Sequence, residues 1–233
     1  MNKSLKVKTS DRNYWLSASL ICADVNNLAD DVRILELSGM DFLHIDVMDG
    51  MFVPRFGMFP EQVAGIRKIS SLPMDLHLMV ENPEPYFETF RDAGVDYISV
   101  HVEVCRHLNR TVSLIKKLGC KAGLAINPAT PIEFLPYVLD DIKMINLMGI
   151  NPGIVGHKLI GFTYEKIRRL KSIVGERDIF IEIDGGVTTE SASEMIQAGA
   201  NMLVCGSSTV FRKEMSITKA IESLRVNIEK SIK

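Results

Sequence analysis

The stretch HIDVMDG, residues 44–50, places a histidine and two carboxylates in a segment that otherwise has the apolar character of a buried strand. Side chains alternate across a strand, so His44 and Asp46 share one face, and the apolar Ile45 and Val47 share the other. Burying charge is costly unless the charge is paired, hydrogen-bonded or bound to a metal. The pattern therefore calls for a chemical explanation.

Two further polar residues lie in similar surroundings: His77 within LHLMV, residues 76–80, and Asp184 within EIDGG, residues 182–186. Taken singly, each has an ordinary explanation, since a strand histidine is commonly a satisfied core or surface group and Asp184 could be a turn residue. Taken together with His44 and Asp46, they supply two imidazoles and two carboxylates. This donor set favours a divalent metal site.

Glycine-rich turns point to a second kind of site. They are NPGIVGH at 151–157, DGG at 184–186 and CGSS at 205–208. Glycine allows close approach of the backbone, and adjacent N–H groups can surround a phosphate. One such turn is weak evidence, but three after consecutive predicted strands favour a phosphate site.

Three methionines, Met48, Met79 and Met148, fall near predicted strand ends. Methionine is commonly a flexible core filler, and an apolar wall over a reaction centre is the functional alternative. The pair His101 and Glu103 has no assigned chemistry. We favour a role in supporting the metal ligands through contacts behind them or in filling the interior of the fold.

The elements that must position these groups recur along the chain. Four stretches begin at Gly39, Gly94, Gly119 and Gly199 and run into short apolar strands, as expected for a helix end followed by a tight turn. Helical apolar spacing precedes some of them, as in Val25, Leu28, Val32 and Leu35. The predicted strands are 15–21, 42–48, 74–80, 97–102, 121–126, 143–149, 179–184 and 202–206.

Eight near-continuous apolar strands alternating with helices predict a (β/α)8 barrel, because such strands need burial on both faces. An open doubly wound sheet is the alternative. No linker or charge block divides the sequence, so we expect one barrel domain over residues 1–233. In such a barrel the reactive groups gather at the carboxyl ends of the strands.

The composition and net charge indicate which classes of partner the protein binds. The chain has 233 residues, of which 46% are hydrophobic, and a formal net charge of -2, so nucleic acid and an anionic membrane surface are poor candidates. The sequence contains neither an apolar run of about 20 residues nor a secretory signal. We expect a small-molecule ligand and a cytoplasmic location.

Several motifs resemble the ribulose-phosphate 3-epimerase family. They are SLICADVNNL (19–28), HIDVMDGMFVP (44–54), LHLMVENPEPY (76–86), SVHVE (99–103), INPATP (126–131), MGINPG (148–153), EIDGGV (182–187) and AGANMLVCGSS (198–208). The similarity runs in order from about residue 15 to 212. The family has a phosphate-binding (β/α)8 barrel and inverts C3 of a ketose phosphate through an enediolate.

The resemblance implies roles for particular residues. The metal ligands fall on His44, Asp46, His77 and Asp184, and the two acid/base groups are Asp46 and Asp184. Substrate contacts fall on Ser19, Met48, His77, Met79, Met148, Gly153, Ile154, Val155, Gly156, His157, Gly185, Gly186, Gly206 and Ser207. The resemblance also implies a homo-oligomer, dimer or hexamer, and one divalent ion, with zinc or ferrous iron favoured and manganese or cobalt open.

The loop at 153–157 departs from the family, which usually has an aromatic residue, a second glycine and a glutamine there; Gly149 also replaces a common Thr or Ser. These changes bear on substrate identity. D-ribulose 5-phosphate is expected, with D-allulose 6-phosphate or another ketose phosphate as the alternative. Decarboxylation or aldol chemistry in related barrels would require a lysine at the position of Met48, so Met48 argues against it. A non-enzymatic phosphate-binding barrel would not need Asp46 and Asp184, so their presence argues against that alternative.

Overall fold

The computed structural model describes residues 12–153 and 158–232, which form a closed barrel of eight parallel strands. In chain order, β1 to β8 are Trp15–Ser19, Phe42–Met48, Met74–Met79, Tyr97–His101, Lys121–Ile126, Met144–Met148, Phe180–Asp184 and Met202–Cys205. Each strand pairs with the next, and β8 pairs with β1. The predicted barrel is confirmed, and the predicted strand limits differ from the observed ones by at most two residues.

Helices connect most of the strands on the outside of the barrel. In the described chain, α1 to α7 are Leu28–Leu37, Pro60–Arg67, Phe87–Ala93, Leu108–Lys117, Thr163–Val174, Thr189–Ala198 and Ile217–Ser231. The four glycines predicted to end helices, Gly39, Gly94, Gly119 and Gly199, have φ values of 80°, 102°, 84° and 115°. This left-handed conformation is disfavoured for residues with a Cβ, which explains the glycines.

Two local expectations are wrong. The connection from β5 to β6 contains no α-helix; it consists of the short 3-10 turns Leu135–Tyr137 and Leu139–Asp141, in a segment where Pro136 cannot donate a helical hydrogen bond. Val25 does not belong to the apolar face of α1 and is 76% exposed. The reason is a turn before the helix, in which the Asp24 carboxylate accepts hydrogen bonds from the Asn26 N–H and the Asn27 side chain.

The barrel interior is filled in layers that change from apolar to polar. At the amino-terminal end of the strands, an apolar layer contains Phe42, Tyr97, Met144 and Met202, with Trp15 and Phe180 packed against it. Residues that point outward from the strands, such as Ile45 and Leu78, pack in the core between strands and helices. The polar side chains therefore occupy the other end of the barrel interior. No helix in the described ranges is long and apolar enough to span a membrane.

Candidate active site and metal centre

The four predicted ligands come together at the carboxyl end of the barrel. Asp46 on β2 is the register partner of His77 on β3, and Asp184 is the last residue of β7. His44 lies two residues before Asp46 on the same inward face. His44 and His77 are fully buried, and one ligand atom from each of the four residues lies within 4.8 Å of the others.

The spacing of these atoms suits a small divalent ion. His44 Nε2 lies 3.3 Å from Asp46 Oδ1 and 3.7 Å from Asp184 Oδ2. His77 Nδ1 lies 3.5 Å and 3.2 Å from the same two oxygens. A tetrahedral ion with bonds of about 2.0–2.2 Å separates its ligands by roughly 3.3–3.6 Å. Both nitrogens are buried and lack a hydrogen-bond partner among the described residues, so the four side chains fit a metal centre.

The other nitrogen of His44 is held by a deeper layer. Asp75 Oδ1 makes a short hydrogen bond with His44 Nδ1, and Asp75 Oδ2 accepts a hydrogen bond from Ser17 Oγ at 2.6 Å. With the His44 proton on Nδ1, the lone pair on Nε2 faces Asp46 and Asp184. Glu182 Oε1 lies 3.7 Å from the same Nδ1, and burial, together with the Asp75 charge, raises the pKa of Glu182 to about 7.

A second chain of contacts orients His77. Its Nε2 lies 2.9 Å from His101 Nε2, and His101 Nδ1 lies 3.0 Å from Glu103 Oε2. Burial lowers the pKa of His101 to about 4, so this ring is neutral at pH 7. His101 therefore donates to Glu103 and accepts from His77 Nε2–H, which leaves the lone pair of His77 Nδ1 facing the two carboxylates. This arrangement bears out a role for His101 and Glu103 behind the ligands.

The electrostatics favour ionised carboxylates. Burial by itself would raise the pKa of Asp46 and of Asp184, but His44 and His77 outweigh it and hold both pKa values below the usual range. Burial by itself would lower the pKa of each histidine; the surrounding carboxylates outweigh it, raising the His77 pKa to about 9. Without an ion both rings therefore favour the protonated form, and an ion bound here would displace these protons from His44 Nε2 and His77 Nδ1. Ionised carboxylates are the form that binds a metal or accepts a proton.

A cavity of about 460 Å³ opens above these groups and brings together most of the predicted substrate contacts. Its lining includes Ser19, Asp46, Met48, Met79, Met148, Gly153, Asp184, Gly185, Gly186, Gly206 and Ser207. Ser19 Oγ donates a 2.7 Å hydrogen bond to Asp46 Oδ2. Met48 and Met79 pack with Val53 as an apolar wall. The predicted contacts Ile154, Val155, Gly156 and His157 lie outside the described residues.

The glycine turns at the cavity have open backbone donors. Gly185 and Gly186 have φ values of 89° and 73°, and a Cβ on Gly185 would lie 2.3 Å from Ile150 Cγ1. In the described part of the chain, the N–H groups of Gly186 and Gly206 have no hydrogen-bond partner. Such groups can bind an anionic oxygen.

Sequence reasoning missed two charged residues of the lining, Arg55 and Lys158. They belong to the loops that follow β2 and β6. Because loops at the carboxyl ends of barrel strands border the site, their position in the sequence could have indicated a role in the lining. Asp49, the second carboxylate of HIDVMDG, has a structural role: it accepts hydrogen bonds from the backbone N–H groups of Met51, Phe52 and Glu81.

Comparison with known proteins agrees with this geometry. The model of the Ribulose-phosphate 3 epimerase family matches residues 15–211. The chain belongs to this family. It is 42% identical over 213 residues to the ribulose-phosphate 3-epimerase of Bacillus subtilis (strain 168), covering 90% of this chain and 97% of the relative. It is 40% identical over 222 residues to the chloroplastic ribulose-5-phosphate-3-epimerase of Arabidopsis thaliana, covering 94% and 78% of the two chains.

Solved structures of lower identity share the epimerase family's fold. The 3-hexulose-6-phosphate synthase from Salmonella typhimurium superposes with a TM-score of 0.69 at 13% identity, covering 93% of this chain and 99% of that one. KGPDC from Streptococcus mutans gives 0.70 at 9% identity, covering 93% and 98%. At these identities the likeness supports the barrel and says nothing of the reaction.

Proposed function

We propose that this protein is a metal-dependent 3-epimerase that interconverts D-ribulose 5-phosphate and D-xylulose 5-phosphate. Family membership supports the reaction class. The observation that carries the proposal is the pair of carboxylates, Asp46 from β2 and Asp184 from β7, which line one cavity and share one cluster with two buried histidines.

Epimerisation at C3 removes a proton from one face of the carbon and returns one to the other face. Two carboxyl groups on different strands can share this work: one, ionised, acts as the base and takes the C3 proton, and the other, protonated, acts as the acid and returns a proton to the opposite face. Ser19 donates a hydrogen bond to Asp46 Oδ2, which holds that carboxylate in one orientation. In this proposal Asp46 and Asp184 exchange roles when the reaction runs in the opposite direction.

The residues proposed to hold the ion are His44, Asp46, His77 and Asp184. When bound, a divalent ion would polarise the C2 carbonyl and stabilise the negative charge that develops on its oxygen. The buried imidazoles supply neutral lone pairs and exclude water from that side of the substrate. Zinc or ferrous iron is the proposed identity because the family resemblance favours them; the mixed nitrogen and oxygen donor set by itself suits manganese and cobalt as well.

The remaining cavity would bind the rest of the substrate. The turns at Gly185, Gly186, Gly206 and Ser207 offer backbone N–H groups for the phosphate, and Gly153 lines the same cavity. Met48, Met79 and Met148 form the apolar side of the site. The roles of Ile154, Val155, Gly156 and His157 stay predictions.

The test is a coupled assay of the metal-loaded protein on D-ribulose 5-phosphate and D-allulose 6-phosphate, with a chelator-treated sample alongside. We expect turnover of the pentulose, loss of it after chelation and entry of deuterium at C3 in D2O. Asp46→Asn and Asp184→Asn should each abolish both signals, whereas Asp141→Asn, at an exposed partner of Lys116, should not. A loaded wild type without turnover or deuterium entry would contradict the proposal.

The names of the relatives support the pentulose and give no support to D-allulose 6-phosphate. A homo-oligomeric assembly, a cytoplasmic location and a single domain over residues 1–233 stay predictions, which gel filtration, cell fractionation and limited proteolysis would test.

A further inference from the structure

Two basic side chains line the cavity without a role in the chemistry proposed above. Arg55 comes from the loop between β2 and α2, and Lys158 from the loop between β6 and α5. In residues 12–153 and 158–232, neither side chain makes a hydrogen bond or an ion pair. Arginine in this chain more often has a partner, as Arg67 does with Asp96 and Arg225 with Asp41.

The charges of the lining indicate what these bases face. Its charged side chains are Asp46, Asp184, Arg55 and Lys158. The two aspartates lie against His44 and His77 in the metal centre. The positive charges of Arg55 and Lys158 are therefore left to face a ligand. A phosphate monoester, which carries about -1.5 to -2 at pH 7, matches them.

The loop that carries Arg55 is held firmly over the mouth. Asp49 forms an antiparallel bridge with Phe56, and the N–H groups of Gly57 and Met58 donate to the carbonyls of Met48 and Asp46 at 3.2 and 2.8 Å. A Cβ on Gly57 would lie 2.4 Å from the Asp46 carbonyl oxygen, so only glycine allows this close crossing. The backbone that carries Arg55 is therefore fixed before a ligand binds.

The loop also reaches the next part of the mouth. A Cβ on Gly153 would lie 2.4 Å from Val53 Cβ, so the loop after β2 packs directly on the start of the loop after β6. Arg55 and Lys158 thus belong to two loops that meet at the mouth, and both side chains line the same cavity.

We propose that Arg55 is a specificity-determining residue that binds the phosphate of the substrate, with Lys158 supplying a second positive charge. The proposal rests on the proposed function for the substrate's identity. A guanidinium can donate two parallel hydrogen bonds to phosphate oxygens, which backbone N–H groups and a lysine cannot do in the same way. Arg55 therefore selects phosphorylated ketoses and has no part in proton transfer.

The test compares Arg55→Met, which keeps the apolar stem, with Arg55→Lys, which keeps the charge, and with Arg168→Met as a control at an exposed arginine of α5 paired with Glu165. We measure kcat and KM on D-ribulose 5-phosphate and the inhibition constant of inorganic phosphate. Arg55→Met should raise both KM and the inhibition constant about tenfold or more, with kcat within about threefold of wild type. Arg55→Lys should recover part of the loss, and the control should change neither constant.

Two results would overturn the proposal: unchanged constants in Arg55→Met, or a raised KM with an unchanged inhibition constant for phosphate, which would assign Arg55 to another part of the substrate or to the loop. Circular dichroism and thermal melting verify that the variants fold. If the wild type turns over no ketose phosphate, the proposed function fails by itself. Arg55 is then judged by ³¹P NMR titration with inorganic phosphate, where equal affinity of wild type and Arg55→Met overturns the inference.

Discussion

Asp75 is expected to set the orientation of His44, a proposed metal ligand, and Asp75→Asn tests this. In the wild type, Asp75 Oδ1 accepts from His44 Nδ1, and Oδ2 accepts from Ser17 Oγ. Asparagine has nearly the same shape, and its amide oxygen can still accept from His44 while its NH2 group donates to Ser17. The substitution therefore removes the negative charge and preserves the packing.

The magnitude follows from the change in hydrogen-bond type. A hydrogen bond to a charged group contributes about 1.5–3 kcal/mol, and a neutral one about 0.5–1.5 kcal/mol. The difference is about 1–1.5 kcal/mol, and 1.4 kcal/mol corresponds to a factor of ten in affinity. Asp75 is buried, with 1% of its surface exposed, so solvent does not screen the loss. We expect zinc to bind Asp75→Asn about tenfold more weakly, in line with the effect of residues behind metal ligands in other proteins.

The assay is equilibrium competition for zinc against a chelator of known affinity, with the metal content of each sample measured separately. Asp141→Asn is the matched control, because it removes a carboxylate that is exposed and far from the cavity lining. Thermal melting of the metal-free proteins separates a loss of metal affinity from a loss of folding. Zinc affinity unchanged within about twofold in a folded Asp75→Asn protein would refute the assigned orientation of His44.

Three further substitutions test other parts of the structure. Glu103→Gln weakens the contact that orients His101 and should lower zinc affinity up to about tenfold in the same competition assay; unchanged affinity would contradict the role of this chain of contacts. Gly185→Ala forces a Cβ into a residue with φ of 89°, so it should cost about 1–3 kcal/mol in urea unfolding and raise KM. Leu78→Ala, in the core outside the barrel, should cost about 2–5 kcal/mol of unfolding free energy while zinc affinity stays unchanged.

The barrel could be predicted because its signals are local. Each of the four glycines that begins a recurring stretch has the left-handed conformation that a helix end requires, and the strands after them are short and apolar. The helices α2 and α3 have only 8 and 7 residues, and so few turns leave an apolar pattern too weak to predict their limits. The connection before β6 lacks an α-helix because Pro136 interrupts it. The expectation of a helix there comes from the alternation of strands alone, which does not take this proline into account.

The convergence of His44, Asp46, His77 and Asp184 could be predicted because alternation along a strand decides which face a side chain occupies. The register of β2 against β3 then brings Asp46 beside His77. The sequence suggests this pairing only because the two residues lie at similar distances from the ends of their strands. Arg55 and Lys158 were missed for the opposite reason. Their positions depend on how irregular loops return over the mouth, as at the crossing of Gly57 over β2, and no periodicity predicts that path.

The same alternation accounts for the polar layer beneath the cavity. Ser17, Asp75 and Glu182 each lie two residues before a residue of the cavity or the metal centre, so they share its inward face one layer deeper. An apolar layer at this depth would stabilise the barrel better, because both carboxylate oxygens of Glu182 lack a hydrogen-bond partner among the described residues and burial of such groups is unfavourable. What this layer supplies is the orientation of His44. Its unfavourable burial is therefore explained by the proposed metal centre above it, which needs His44 in one orientation.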